Sequence, residues 1–464
     1  MSDFFVENLI LGGGLSGLSA SYHLGHENCL ILEKEPHLFG LLASRRHNGF
    51  TWDNGPHVSF TKHDHVRSLF ARSTRDEFWE IPVNVGNFFH GNWVRHPAQV
   101  NLAQVPEPLR SACVASLEQA HALPPLDAPE NYQQWLETSL GKTFAENFSA
   151  PYTRKYWTVP PSAMSCDWVG GRVHRPRLED VRAGAESDIP RNLHYIDRIR
   201  YPKTGGYQSF STILAQGANV RLGARATAID LAKKEVCTQS GETLRYSRLV
   251  STIPLTEFVE ICVQSTSGMR EAARGLLCSS LVLADIELRA PTRRPEHWLY
   301  VYNEDFLSTR IHFIEKLSPA NAPDGHGGVQ VEIYHQPQKK LPLGDLEIGR
   351  RVVAELDVMG ILPASISSSL AGNPDSVKLT RIPFANVVFL SGTSARLEAI
   401  WDALQPHGLS REPMDTHPLV DWSLPPPESL RTASLLMAGR FAQWKYFWTD
   451  DCVLRGKALA SQIK

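Results

Sequence analysis

The stretch Leu9-Ile10-Leu11-Gly12-Gly13-Gly14-Leu15-Ser16-Gly17-Leu18 decides how the chain is read. A buried apolar strand runs into a glycine turn, and a helix begins. Gly12, Gly14 and Gly17 fill the three glycine positions of a dinucleotide fingerprint. The first permits the tight turn, the second lets backbone approach a pyrophosphate, and the third lets helix and strand pack closely. The helix, predicted from Leu15 to about Leu24, aims its N-terminal N–H groups and positive dipole end at the phosphates. A second strand, Cys29-Leu30-Ile31-Leu32, ends at Glu33, 21 residues after Gly12 (33 − 12). That is near the offset of a ribose 2′-hydroxyl acceptor, and a carboxylate there repels a 2′-phosphate, which favours FAD or NAD over NADP. A tight turn that binds nothing needs only the glycines; here strand, triplet, helix, strand and acid occur in order.

At 464 residues the chain exceeds what one hydrophobic core serves, so two or three domains are expected. Hydrophobic residues are 42% and charged residues 21%, the balance of an ordinary soluble globular protein. A net charge of -2 gives no reason to expect nucleic acid or an anionic membrane as partner. No apolar run approaches ~18 residues, so no membrane span is expected. The N-terminus carries Asp3 and Glu7 and reads as neither signal nor transit peptide. Seven widely spaced cysteines without a C-x-x-C argue against disulfides or zinc and for a reducing cytosol. No metal site is expected: His63-Asp64-His65 could chelate, but reads as a solvated loop.

Further along, Phe50-Thr51-Trp52 reads as a short strand ending in a turn at Asn54-Gly55-Pro56, before His57. Aromatic and basic residues interleave from Phe88 to Gln99, and a Pro-rich linker spans Leu123 to Pro129. Asn131 is placed to cap a helix, with Gln134 as its capping-box partner and Gly141 as its stop. Phe148 to Trp157 is the densest aromatic stretch. Such a stripe is ordinarily core, yet Arg172, after Gly170-Gly171, gives the region a group that could hold a phosphate beside a stacked base. Tyr201 to Tyr207 reads as a turn. After it come a helix from about Gln208 to Gln216, strands over Asn219–Leu222 and Ala226–Leu231, a hairpin around Gly241 and a buried strand from Leu249. The stretch 278–335 is strand-rich, Asp345 to about Met359 reads as a helix, and a last helix runs from about Cys452 to Ser461. No second glycine fingerprint occurs.

With the fingerprint and Gly439-Arg440-Phe441 together, the chain resembles a large FAD family that includes amine oxidases, protoporphyrinogen oxidases, carotenoid desaturases and UDP-galactopyranose mutases. The resemblance implies an α/β fold. A discontinuous Rossmann-like FAD-binding domain (1–85, 201–265 and 430–464) carries a mainly helical substrate insertion (86–200) and a sheet-containing substrate domain (266–429). It assigns cofactor contacts to Gly12, Gly14, Leu15, Ser16, Gly17, Glu33 and Lys34, then to Gly40, Leu41, Ser44 and His57. Gly205, Gly206, Gly439, Arg440, Tyr446, Asp450 and Asp451 complete that set.

Within the family the mutases are most similar, chiefly their eukaryotic-type branch. Asn54-Gly55-Pro56-His57-Val58 resembles the loop that sets a histidine beside the flavin. Trp93 to Asn101 resembles the uridine-end segment, and Phe148 through Arg172 keeps the spacing of Phe, Tyr, Trp and a diphosphate arginine. Tyr300 with Arg310 resembles the second tyrosine–arginine pair. The implied substrate contacts are His96, Gln99, Phe148, Tyr152, Thr153, Trp157, Arg172, Tyr300, Arg310 and Tyr446, with His57, Arg172 and Arg310 catalytic. The implied reaction interconverts pyranose and furanose forms of a nucleotide-diphosphate sugar through a reduced-flavin N5–sugar adduct. It has no net redox change, and an external reductant primes the flavin. Several positions depart from the mutase pattern: His96 stands for a tyrosine, Thr153 and Asp450 for asparagines and Leu41 for glycine, a further phosphate tyrosine falls at Leu317, and another is lost near Asn386-Val387-Val388. A flavin oxidase or desaturase of an amine or polycyclic substrate is the other enzyme reading, and a nucleotide-binding protein without catalysis is a third. The oligomeric state is open.

Overall fold

The computed structural model describes residues 4–463 apart from 125, 127, 189–195, 340 and 363–375; Pro125 and Asp127 of the Pro-rich linker therefore lie outside the described residues. Two seven-stranded sheets organise the chain. In the first, Phe4–Leu11 pairs in parallel with Cys29–Leu32 on one side and Thr243–Ser251 on the other. Val220–Arg221 and Leu435–Met437 extend the parallel set, and Ala226–Asp230 and Glu235–Thr238 complete the sheet as antiparallel strands. Leu9, Ile10, Leu30 and Ile31 are at most 1% exposed, because a parallel sheet covered on both faces needs apolar residues at consecutive positions.

The helix Leu15–Leu24 packs against this sheet and against the last helix, Thr449–Ile463. Ser19 Oγ donates to Val453 O at 2.8 Å, and a Cβ on Gly456 would stand 2.6 Å from Ala20 N, so only glycine lets these helices approach so closely. The second sheet runs in the order Val377–Val388, Leu277–Leu288, Gly327–His335, Arg310–Phe313, Trp298–Val301, Val85–Phe89 and Asn92–Arg95. Helix Asp345–Val358 packs on it through Ile348, Val352, Val353 and Leu356. Helices Leu109–Ala122, Tyr132–Leu140, Ala150–Tyr156 and Leu178–Glu186 gather beside the sheets. Among the described residues no helix is long and apolar enough to cross a membrane.

The fold is α/β with parallel and antiparallel sheets, as expected. Several local expectations change. The 86–200 segment, expected to be mainly helical, opens with a hairpin that joins the second sheet through parallel pairing of Val85–Phe89 with Trp298–Val301. Tyr201 lies in a strand, Arg198–Pro202, paired with Phe78–Pro82; the turn begins only at Lys203. The helix expected over Gln208–Gln216 is a 3-10 segment, Tyr207–Ser211, followed by one α-turn, Thr212–Ala215. His63-Asp64-His65 is no loop: Asp64 opens helix Asp64–Thr74, and His65 meets His23 at 2.9 Å. Asn131 caps its helix through Gln134 N at 3.0 Å, but the Gln134 side chain accepts from Glu130 N, one residue earlier than a capping box requires. The last helix starts at Thr449 rather than Cys452.

Candidate active site between the two sheets

The glycine turn sits at the carboxyl end of Phe4–Leu11, where doubly wound sheets bind their ligands. Gly12 has φ +101°, and a Cβ there would meet Thr252 Oγ1 at 2.4 Å. A Cβ on Gly17 would stand 2.0 Å from Gly12 O, inside any allowed contact, so helix and turn touch backbone to backbone. Beside Gly14, by contrast, the nearest atom to an added Cβ is Gly40 Cα at 3.9 Å. That opening, above the N-terminus of Leu15–Leu24, suits a pyrophosphate. Glu33 is buried at the tip of the second strand and accepts from Gly13 N at 2.6 Å and Glu35 N at 2.8 Å, while Lys34 is half-exposed near Glu257 at 3.6 Å. The donor set therefore fits a dinucleotide.

Asp53, which the sequence reading passed over, ties the distal pieces together. Its buried carboxylate accepts from Ser44 Oγ at 2.6 Å, Tyr201 Oη at 2.7 Å and Tyr207 N at 3.0 Å. Burial pushes its pKa up, against these three donors and Arg45. Gly205 and Gly206 precede Tyr207 and bring the chain over Ser44. From the second sheet, Gln330 pins the following loop. Its Nε2 donates to Asp53 O at 2.9 Å and Asp285 Oδ1 at 2.8 Å, and its Oε1 accepts from Gly55 N at 3.2 Å. The loop before His57 is thereby held from the second sheet through Gln330 and, through Asp53, by Ser44, Tyr201 and Tyr207. Its Nδ1 lies 3.1 Å from Gly55 O, and a carbonyl only accepts, so Nδ1 carries the hydrogen and Nε2 is the bare nitrogen. Burial, then Arg440 and Arg310, push His57 down to about 4, so the ring is neutral at physiological pH.

His57 lines a cavity of about 390 Å³, within the size range of small-molecule sites. Of the expected flavin-side residues, Leu41, Arg440, Tyr446 and Asp450 also line it. The Arg440 guanidinium is fixed by Phe447 O at 2.8 Å from Nε. Gly439 lies outside the cavity, beside Ser16, and Asp451 lies behind it, accepting from Trp448 N and Trp422 Nε1, both at 2.7 Å. Of the expected substrate residues, His96, Gln99, Tyr152, Thr153 and Trp157 line the cavity, as do Tyr300, Arg172 and Arg310. Phe148 does not: it is fully buried, stacked on Phe89 at 4.1 Å and Phe144 at 4.6 Å, a core residue as aromatic stripes usually are. Thr153 turns its hydroxyl back to Ser149 O at 2.7 Å, and Gln99 donates to His174 O at 3.2 Å.

The two arginines expected to hold a diphosphate each meet an acid. Arg310 donates from Nε and Nη2 to Glu332 at 2.6 and 2.8 Å. Burial opposes its charge, but Glu332 and Tyr334 hold it well above its ordinary value. Arg172 lies 3.4 Å from Asp451 and stacks 3.5 Å from the Trp448 ring centroid, and among the described residues its buried Nη1 has no hydrogen-bond partner. The buried Tyr152 hydroxyl is likewise without one. Burial raises Tyr152, Tyr300, Tyr334 and Tyr446, which keeps these phenols protonated. Tyr156, Tyr302, Glu332, Tyr334 and Trp448 were not foreseen as lining residues. A signal existed for two of them: in Val329-Gln330-Val331-Glu332-Ile333-Tyr334, polar residues alternate with apolar ones, so all three polar side chains share one face. Asn386, near where a mutase tyrosine is lost, lines the cavity, and Leu317 is buried in the core away from it.

Residues 15–412 match the family described as flavin containing amine oxidoreductase. The chain belongs to this family. Among solved structures, a reduced UDP-galactopyranose mutase is similar over 99% of this chain and 95% of its own, with a TM-score of 0.83 and 22% identity. A putative protoporphyrinogen oxidase from Exiguobacterium sp. 255-15 is similar over 100% and 99%, with a TM-score of 0.70 and 17% identity. Putrescine oxidase bound to putrescine is similar over 99% of each chain, with a TM-score of 0.61 and 14% identity. These likenesses establish the fold of this flavin-family member. Its chemistry rests on the cavity.

Proposed function

We propose that this flavin-family protein is a nucleotide-sugar mutase, interconverting pyranose and furanose forms of a UDP-galactopyranose-like substrate without net redox change. The observation that carries the reading is the convergence of Arg172 and Arg310, from separate segments of the chain, on the cavity that His57 lines. Bound reduced FAD supplies the nucleophile; an external reductant primes it. The chain's own part is to hold the diphosphate as it departs and returns. Two of the five N–H donors of Arg310 are taken by Glu332, and Arg172 keeps Nη1, so both have donors left for phosphate oxygens. Tyr152, Tyr300 and Tyr446, kept protonated by burial, add neutral donors. Neutral His57 offers Nε2 as an acceptor without adding a charge that would hold the leaving group too tightly. We assign the protein to the cytoplasm because its seven cysteines form no disulfide.

One observation favours the second reading, an oxidase or desaturase. The pairs Arg172–Asp451 and Arg310–Glu332, with Asp450 beside them, leave the cavity nearly balanced in charge, which suits a substrate less anionic than a diphosphate. Assaying the flavin-loaded protein with UDP-galactose separates the two. A mutase turns over only when dithionite-reduced and forms no hydrogen peroxide; turnover by the oxidised form with oxygen uptake overturns it. Arg172→Ala and Arg310→Lys are expected to lower turnover about 10²–10³-fold while flavin absorbance is retained. Lysine is the better probe at 310, because removing all charge strands buried Glu332.

A further inference from the structure

Loop 303–309 has both ends in the cavity. Tyr300 and Tyr302 precede it, and Arg310 follows it. Its backbone is held from two sides by charged side chains that do not line the cavity. From helix Ala150–Tyr156, Lys155 Nζ donates to Asn303 O at 2.5 Å and Ser308 O at 2.7 Å. From helix Asp345–Val358, the buried Glu355 carboxylate accepts from Leu307 N at 2.6 Å, Ser308 N at 2.9 Å and Ser308 Oγ at 2.6 Å. One side chain thus takes the loop's carbonyls and the other its N–H groups. At the rim Arg154 makes a two-bond pair with Glu304, and Arg351 donates to Asp305 O.

The helix that supplies Lys155 also supplies Tyr152, Thr153 and Tyr156 to the cavity. Lys155 therefore joins the helical wall of the site to the wall built on the second sheet. Two buried carbonyls facing one amino group are satisfied only while the walls keep their spacing, since a shift of an ångström breaks both bonds. We propose that Lys155 and Glu355 are a positioning pair: they clamp loop 303–309 so that Tyr300, Tyr302 and Arg310 stand at a fixed distance from Tyr152 and Tyr156. The proposal rests on this cavity being the substrate site.

Amide hydrogen exchange and UDP binding, both on the flavin-loaded reduced protein, test it in Lys155→Met, Lys155→Arg and Glu355→Gln. Exchange at Leu307 and Ser308 is expected to quicken about tenfold or more in Lys155→Met and Glu355→Gln. UDP affinity falls about tenfold with flavin absorbance unchanged, and Lys155→Arg restores most of both. Unchanged exchange in both Lys155→Met and Glu355→Gln overturns the clamp. Quickened exchange with unaltered UDP affinity overturns its role in positioning. If Lys155→Met does not fold, the near-isosteric Glu355→Gln and the conservative Lys155→Arg carry the same comparison. If the wild-type protein binds no UDP, the nucleotide-sugar reading fails. A crystal structure of the Lys155→Met variant then decides the clamp, which falls if Tyr300 and Arg310 keep their places.

Discussion

His57 is neutral because it is buried and faces Arg440 and Arg310, which together bring it down to about 4. The pH profile of turnover should therefore lack a limb near 6.5, the ordinary histidine value. A limb there that disappears in His57→Gln would show a protonated ring at work. The loop that holds His57 depends on Gln330, whose amide satisfies Gly55 N and Asp53 O at once. Gln330→Leu leaves each of these buried groups without a partner at about 1–3 kcal/mol apiece. A lower urea midpoint and weaker flavin retention are the expected result. Of the site's residues, those on local motifs were legible in the sequence: the glycine turn, His57 after Asn54-Gly55-Pro56, and the arginines. Asp53 was not, because its partners Ser44, Tyr201 and Tyr207 come together only through the fold. Glu332 was half-legible, since alternation gives its face but not what the face looks onto.

Elements with strong local periodicity were equally readable. Phe4–Leu11, Leu15–Leu24 and Cys29–Leu32 follow from consecutive apolar runs broken by glycine, and Asp345–Val358 follows from its helical spacing. Arg198–Pro202 was missed because its partner, Phe78–Pro82, lies far away in sequence, and strand pairing at that distance leaves no local mark. The contact between Leu15–Leu24 and Thr449–Ile463 depends on Gly456. Gly456→Val puts side-chain atoms against Ser19 and Ala20, and overpacking of this kind costs about 1–3 kcal/mol. Thermal unfolding should report that loss. Flavin should also be held more weakly, since the N-terminus of Leu15–Leu24 is the proposed pyrophosphate site.

Over the whole molecule, the loop before His57 is fastened to the second sheet through Gln330 and, through Asp53, to Ser44, Tyr201 and Tyr207, so cofactor binding and global stability are linked. At free FAD about 100-fold above its dissociation constant, the folded state gains about 2.7 kcal/mol. Scanning calorimetry should place the flavin-loaded protein well above the stripped one. Acid acts in the opposite sense. His57, His297 and His312 are pushed down by burial to about 4, 4 and 3. Their folded values lie below the unfolded value near 6.5, so the stability they contribute is complete above pH 6.5. It is lost as pH falls from there towards 3. Urea titrations across that range should show the decline, and His312→Gln should flatten it.

The bond from Ser19 to Val453 joins residues 434 apart. During synthesis at about 5–20 residues per second, Leu15–Leu24 waits roughly 20–90 s on the ribosome before its partner helix exists. The first parallel strand waits almost as long for Leu435–Met437 to complete the sheet. Until those segments are made the nascent chain carries an unfinished dinucleotide fold, so firm seating of the flavin waits on residues 435–463.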